Sequence, residues 1–112
     1  MGVVSDIERF DVFLVALDPT RGSEISTTRP CAVVSPDEMN RHVRTVIVAP
    51  MTTASRAYPT RVAVRFQGKG GRIALDQIRT VDKARLLRRL GRLPERASHE
   101  VARALVEMFR PD

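Results

Sequence analysis

The amino-acid sequence predicts a mainly β domain closed by one C-terminal helix, built as a small, partly closed barrel. Three observations carry this prediction. Short apolar or alternating runs recur between turns rich in proline and glycine. Arg61 to Phe66 alternates strictly, with Val62, Val64 and Phe66 on one side and Arg61, Ala63 and Arg65 on the other. From Pro94 to Phe109 the period changes, and Ala97, Val101, Ala104, Leu105 and Met108 fall on one helical face. At 112 residues the chain can bury one modest core but not two, so residues 1–112 are read as a single domain.

The elements follow in order. Phe10 to Leu17 holds an unbroken apolar run from Val12, the mark of a strand covered on both faces. Asp18-Pro19-Thr20-Arg21-Gly22 ends it in a turn, and the polar stretch Ser23 to Thr28 is expected to be a mobile loop. Pro30 to Ser35 reads as a second strand, with proline at its first position. Pro36 to Asn40 is suited to a short helical turn. Thr45 to Ala49 is a third strand, expected to stop at Pro50. After Arg61 to Phe66, Gly68-Lys69-Gly70-Gly71 is read as a turn and Arg72 to Leu75 as the returning strand. Gln77 to Val81 and Leu87 to Leu93 are short strands before the helix, and no internal repeat or low-complexity segment is present.

The net charge of +6 points to an acidic partner, a nucleic acid or an acidic protein tail. Lys69 and Lys83 are the two lysines among nineteen cations, which leaves seventeen arginines, whose planar fork matches phosphate. Cys31 is the one cysteine, so no internal disulfide forms. It lies in the apolar run Pro30 to Val34 and is read as a small buried hydrophobe rather than a nucleophile. No apolar stretch approaches the ~20 residues of a membrane span. Met1 to Asp6 lacks a hydrophobic leader core and a myristoylation pattern, so a cytoplasmic location is expected.

Candidate site residues gather at strand exits. No His, Cys or Asp cluster has metal-ligand spacing, so no metal or other cofactor is expected. A metal-free site suits a substrate that is itself an anion. RNA qualifies, because its own 2′-hydroxyl can attack the neighbouring phosphate. The protein then supplies a base, positive charge for the phosphorane and a proton for the leaving oxygen. Arg29, between a loop and a strand, is the candidate for the charge. Thr52, just past Pro50, is placed to hold a phosphate oxygen or orient Arg29. Glu24 is a candidate base, or an acceptor for a nucleobase. Tyr58, the one tyrosine, offers a ring on which an unpaired base can stack. His42 and His99 form no defensible acid–base pair and are read as structural or solvated.

Taken in order, these residues resemble the MazF/PemK family of toxin endoribonucleases. The resemblance spans about residues 11–109. It rests on Asp18-Pro19-Thr20-Arg21-Gly22-Ser23-Glu24, Arg29-Pro30, Ala32-Val33-Val34-Ser35-Pro36, Pro50-Met51-Thr52-Thr53, Tyr58-Pro59, Ala74-Leu75-Asp76-Gln77 and Leu90-Gly91-Arg92-Leu93. It implies an SH3-like barrel of the CcdB/PemK type, a homodimer, and sequence-specific cleavage of single-stranded RNA to 2′,3′-cyclic phosphate and 5′-hydroxyl ends. It implies catalytic roles for Arg29, Thr52 and Glu24, and substrate contacts by Arg21, Tyr58, Asp76 and Gln77. It also implies a cognate antitoxin with an acidic, flexible tail.

Two departures from the family stand out. Phe10 occupies a place where glycine is usual, so the first strand is expected to enter differently. Ile25-Ser26-Thr27-Thr28 lacks the glycine common in that loop, so a stiffer loop and an altered base preference are expected. The family often treats its arginine as acid or base. A guanidinium holds its proton far above neutral pH, so a chiefly electrostatic role is favoured for Arg29. Two rival readings remain. A CcdB-like gyrase toxin depends on a tryptophan-containing C-terminus, and this chain has no tryptophan. A non-catalytic nucleic-acid-binding barrel would use the basic surface alone.

Overall fold

The computed structural model describes residues 6–112; Met1 to Ser5, read above for the lack of a leader, lie outside the described residues. Among the described residues, seven strands and two α-helices follow in sequence: β1 (Asp11–Ala16), β2 (Thr28–Val33), α1 (Asp37–His42), β3 (Thr45–Thr52), β4 (Arg61–Phe66), β5 (Lys69–Ala74), β6 (Arg79–Asp82), β7 (Leu86–Arg92) and α2 (Glu95–Phe109). Short 3-10 turns at Leu75–Gln77 and Lys83–Arg85 flank β6. The strands form one antiparallel sheet in the order β4-β5-β3-β2-β1-β7, with β6 pairing β3 off that path. This is the mainly β half-barrel with a C-terminal helix that the sequence predicts. No helix among the described residues is long and apolar enough to cross a membrane.

β3 is the hub. One edge pairs with β2; the other pairs with β6 over Thr45 to Val48 and with β5 at Met51 and Thr52. The strand therefore runs through Pro50 instead of stopping there. Val34 N–H bonds to Ile47 O. With antiparallel alternation, the Cys31–Pro50 pair then exchanges no hydrogen bond. The proline nitrogen faces the gap between β6 and β5, where its missing N–H breaks no ladder.

Other boundaries also move. The turn after β4 is only Gln67-Gly68, both with positive φ (52° and 80°), and β5 already starts at Lys69. Two left-handed residues twist a hairpin in the favoured sense, which a four-residue glycine loop need not do. Leu75 and Gln77, expected as the end of one strand and the start of the next, lie with Asp76 in a 3-10 turn because Leu75 N–H is taken by Thr60 O and Ile78 N–H by Leu75 O. Thr28, read as the end of the loop, and Arg29, read as lying between loop and strand, both belong to β2, paired with Ala16 and Val15.

Alternation along β1, β2 and β3 divides the core in two. Val12, Ala32, Ala49, Met51 and Ile73 pack with the apolar face of α2, where Ala97 and Val101 are buried. Phe13, Val15, Cys31, Val33, Val46 and Val48 form the opposite cluster. Buried Asp11 clamps β1 to β7 through Arg89 and through Arg92 Nη1 at 2.9 Å. Gln67 Nε2 donates to Leu90 O at 3.1 Å, linking the β4–β5 turn to β7 at the barrel seam.

The two departures noted in the sequence both map to left-handed backbone. Phe10 has φ 75° and Thr27 has φ 71°, conformations that glycine adopts freely and other residues rarely. Phe10 is held there by its N–H on Val33 O, by Leu93 N–H on its own carbonyl, and by packing on the core.

Candidate active site

The end of β3 and the start of β2 lie side by side, because Cys31 pairs with Pro50. That register brings Arg29 to Met51 and Thr52. Arg29 Nε donates to Ser26 O at 2.9 Å, Nη1 to Met51 O at 3.4 Å and Nη2 to Thr27 Oγ1 at 3.4 Å. The guanidinium is thus aimed by three bonds to neutral acceptors, and no carboxylate among the described residues pairs with it. Thr52 Oγ1 accepts from Ala54 N–H at 3.1 Å, which leaves its own O–H free to donate.

Arg29 and Thr52 line a cleft of about 310 Å³. Lys69 and Arg72 of β5 line it too, over a floor that includes Pro30 and Phe66. No Asp or Glu lines it. Lys69 and Arg72 were not singled out in the sequence. No local signal in the sequence marks them; Arg72 reaches the cleft because β3–β5 pairing sets it opposite Thr52.

Glu24 stands elsewhere. It lines a larger groove of about 800 Å³ with Arg21, Asp76, Gln77 and Arg79. Its Oε1 accepts from the Arg21 N–H at 2.6 Å, so one carboxylate oxygen is folded back on its own loop. The structure therefore pairs Arg29 with Thr52 but lines a different cavity with Glu24. Gln77 spends its amide on the same loop: Oε1 accepts from Ile25 N–H at 2.7 Å and Nε2 donates to Ser23 O at 3.1 Å. The loop read as mobile is thus tied to the turn after β5.

Asp76 is engaged by Arg61 through Nε at 2.5 Å and Nη2 at 2.8 Å. The Arg61 hydrogen bonds hold its carboxyl below the usual value of 3.8, against an opposing push from burial. Arg61 also reaches Ser55 Oγ at 2.9 Å and lies 5.6 Å from the centre of the Tyr58 ring. One face of Tyr58 is therefore covered by a cation, and the exposed ring lines neither cavity. His42 is exposed beside Glu38 at 3.5 Å, and His99 is exposed on α2; neither reaches the Arg29 cleft. Among the described residues no group of His, Cys, Asp and Glu has the arrangement to hold a metal ion.

A profile described as PemK-like, MazF-like toxin of type II toxin-antitoxin system matches residues 8–109. The chain belongs to this toxin family. It is 43% identical over 103 residues to the endoribonuclease PemK of Escherichia coli, covering 87% of this chain and 77% of that protein. It is 39% identical over 105 residues to the endoribonuclease MazF of Staphylococcus epidermidis, covering 88% of each. Its fold matches that of an endoribonuclease solved in complex with its cognate antitoxin from a mycobacterial species. That match has a TM-score of 0.80 at 26% identity, over 96% of this chain and 99% of that one. The family resemblance and the barrel type expected from the sequence are those found.

Proposed function

We propose that this PemK/MazF-like toxin is an endoribonuclease that cuts single-stranded RNA by attack of the substrate's own 2′-hydroxyl, and that Arg29 and Thr52 carry the reaction. The observation that carries the reading is the cleft in which an aimed, carboxylate-free Arg29 stands with the free O–H of Thr52. As the 2′-oxygen attacks, negative charge grows on the non-bridging phosphate oxygens. A fixed guanidinium and a hydroxyl donor stabilise that charge more in the transition state than in the ground state. An internal nucleophile calls for no bound metal: as the bond from the 2′-oxygen to phosphorus forms, its proton passes to water, the bond to the 5′-oxygen breaks, and that oxygen takes a proton from water, which leaves a 2′,3′-cyclic phosphate and a 5′-hydroxyl. Of the two roles open to Glu24, its free oxygen in the neighbouring groove fits acceptance of a hydrogen bond from a nucleobase. Arg21, Asp76 and Gln77 then shape that groove, and Tyr58, outside it, offers its exposed ring to an unpaired base. The identities with two endoribonucleases support the activity, and the antitoxin-bound structural relative supports a cognate antitoxin as partner; an acidic tail on that partner and a toxin dimer complete the proposal.

The test is cleavage of a long RNA by the purified protein in EDTA, with 5′ ends mapped. Single-stranded RNA is expected to be cut at a short motif, while duplex RNA, DNA and RNA lacking the 2′-hydroxyl at the cut are spared. Arg29→Ala is expected to lose about 10²–10³ in rate, as loss of an oxyanion donor does, and Thr52→Ala somewhat less. His42→Ala and His99→Ala are expected to keep most activity. A strict need for a divalent ion, or cleavage of the substrate lacking the 2′-hydroxyl, sinks the mechanism. An active Arg29→Ala beside a folded but dead histidine variant moves the site.

A further inference from the structure

The Arg29 cleft has a second cationic wall. We propose that Arg72, with Lys69 beside it, binds a second, non-scissile phosphate of the same RNA strand. This rests on the endoribonuclease reading above and extends it to how the substrate is held.

Arg72 is half-buried and lies opposite Thr52 in the β3–β5 register. Its Nη1 donates to Arg61 O at 3.3 Å, which fixes the side chain, while among the described residues Nη2 has no hydrogen-bond partner. Some arginines are matched by carboxylates, as Arg61 is by Asp76 and Arg89 and Arg92 are by Asp11, while among the described residues others, such as Arg21 and Arg79, are unmatched but share their cavity with Glu24 and Asp76. Among the described residues, Arg29, Lys69 and Arg72 have none, and the cleft they share has no acidic lining. Three unmatched cations facing one concavity focus a positive potential there, and a polyanion is the ligand that relieves their mutual repulsion. A guanidinium fork suits phosphate. Gly70 and Gly71, which also line the cleft, leave the wall beside Arg72 free of side chains, so a backbone can approach closely. Arg29 on β2 and Arg72 on β5 flank the end of β3 from its two sides, two strand spacings or about 10 Å apart, which gives each fork its own anionic group to meet.

The probe is an RNA oligonucleotide spanning the mapped cut, with a 2′-deoxy nucleotide at that position so that it binds uncut. Its affinity is measured against salt concentration for the full chain. Each phosphate contact to a single strand contributes about 0.7 to the slope of log affinity against log salt, roughly fourfold in affinity at about 0.15 M salt. Arg72→Ala is expected to weaken binding by about that factor and to flatten the slope by ~0.7. Arg72→Lys is expected to keep the slope. Arg44→Ala, at the far end of β3 and outside both cavities, is expected to change neither. A scan with single neutral methylphosphonate linkages then locates the contact. The wild type loses affinity at one linkage beside the cut, and Arg72→Ala is insensitive at that linkage alone. Wild-type slope and wild-type sensitivity in folded Arg72→Ala overturn the proposal while leaving the activity reading intact. Failure of the wild type to cut or bind RNA overturns the reading itself.

Discussion

Arg29 and Cys31 sit two residues apart on one face of β2, and the fold treats them oppositely. Arg29 keeps part of its guanidinium in an open cleft, whereas Cys31 is fully buried among Phe13, Val33 and Val48. Burial pushes the Cys31 thiol up to about 12, although the charges of Arg29 and Arg79 pull the other way. Two outcomes follow. At about pH 8 a thiol reagent is expected to label Cys31 only as fast as the chain opens, and at once in denaturant. Above the ordinary value of 9.0 the unfolded chain ionises this thiol while the folded chain holds its proton. The stability present below 9.0 is therefore lost as pH rises towards 12, by up to about 1.4 kcal/mol per pH unit. Denaturation midpoints between about pH 8 and pH 10.5 read this. Cys31→Ala is expected to show a shallower decline than the wild type, and matching declines would show that the thiol is reached by water. Thr27 belongs to this scale too, since its φ of 71° beside Arg29 stores strain of about 1–3 kcal/mol.

Among the elements, the contact of β5 with β3 decides where Thr52 stands. A methyl group on Gly71 would lie 2.8 Å from Thr52 O and 3.4 Å from its carbonyl carbon, both backbone atoms that cannot turn aside. On Gly70 it would meet only the end of Arg65 at 3.6 Å. Gly71→Ala is thus expected to push the end of β3 outward, costing about 1–3 kcal/mol in stability and displacing both the Thr52 hydroxyl and Met51 O, which helps aim Arg29. Gly70→Ala is expected to match the wild type in stability. Melting curves and cleavage rates of the two variants decide it. The Gly71→Ala loss is expected to shrink in a Thr52→Ala background, because the two changes act on one group. Full additivity would mean that Gly71 matters to stability alone. The sequence showed these strands but misplaced their ends. Periodicity reports which residues are half-buried, whereas the ends depend on partners: the gap opposite Pro50, the capture of Leu75 N–H by Thr60, and the pairing of Arg29 with Val15.

The whole molecule carries +6, and the Arg29 cleft gathers three cations with no acidic residue in its lining. An acidic tail that folds onto this surface would cover Arg29 and compete with RNA for the same charges. If the cognate antitoxin carries the acidic tail proposed above, that segment is expected to block cleavage, to bind more weakly as salt rises, and to shift amide signals near Arg29 and Thr52. An inhibitor that stops cleavage with RNA still bound at full affinity and no such shifts would refute direct competition. In a dimer related by a two-fold axis, two such clefts would be open to one tail-bearing partner.

Composition, periodicity and ordered short motifs were enough to determine the architecture, the family, and Arg29 and Thr52 as a pair worth testing. These rest on local features: the alternation of β4, the amphipathic face of α2, and the turn chemistry around Pro19 and Gly68. What sits beside what was decided only by the tertiary structure. Glu24 and Arg29 are five residues apart in the chain, yet they line different cavities because Gln77, 52 residues beyond Ile25, holds the intervening loop. Arg72 joins Thr52 because β5 adds to β3 just where β6 leaves it. Register between distant strands is set by packing and hydrogen bonding summed over the whole sheet, and no local stretch of sequence carries it.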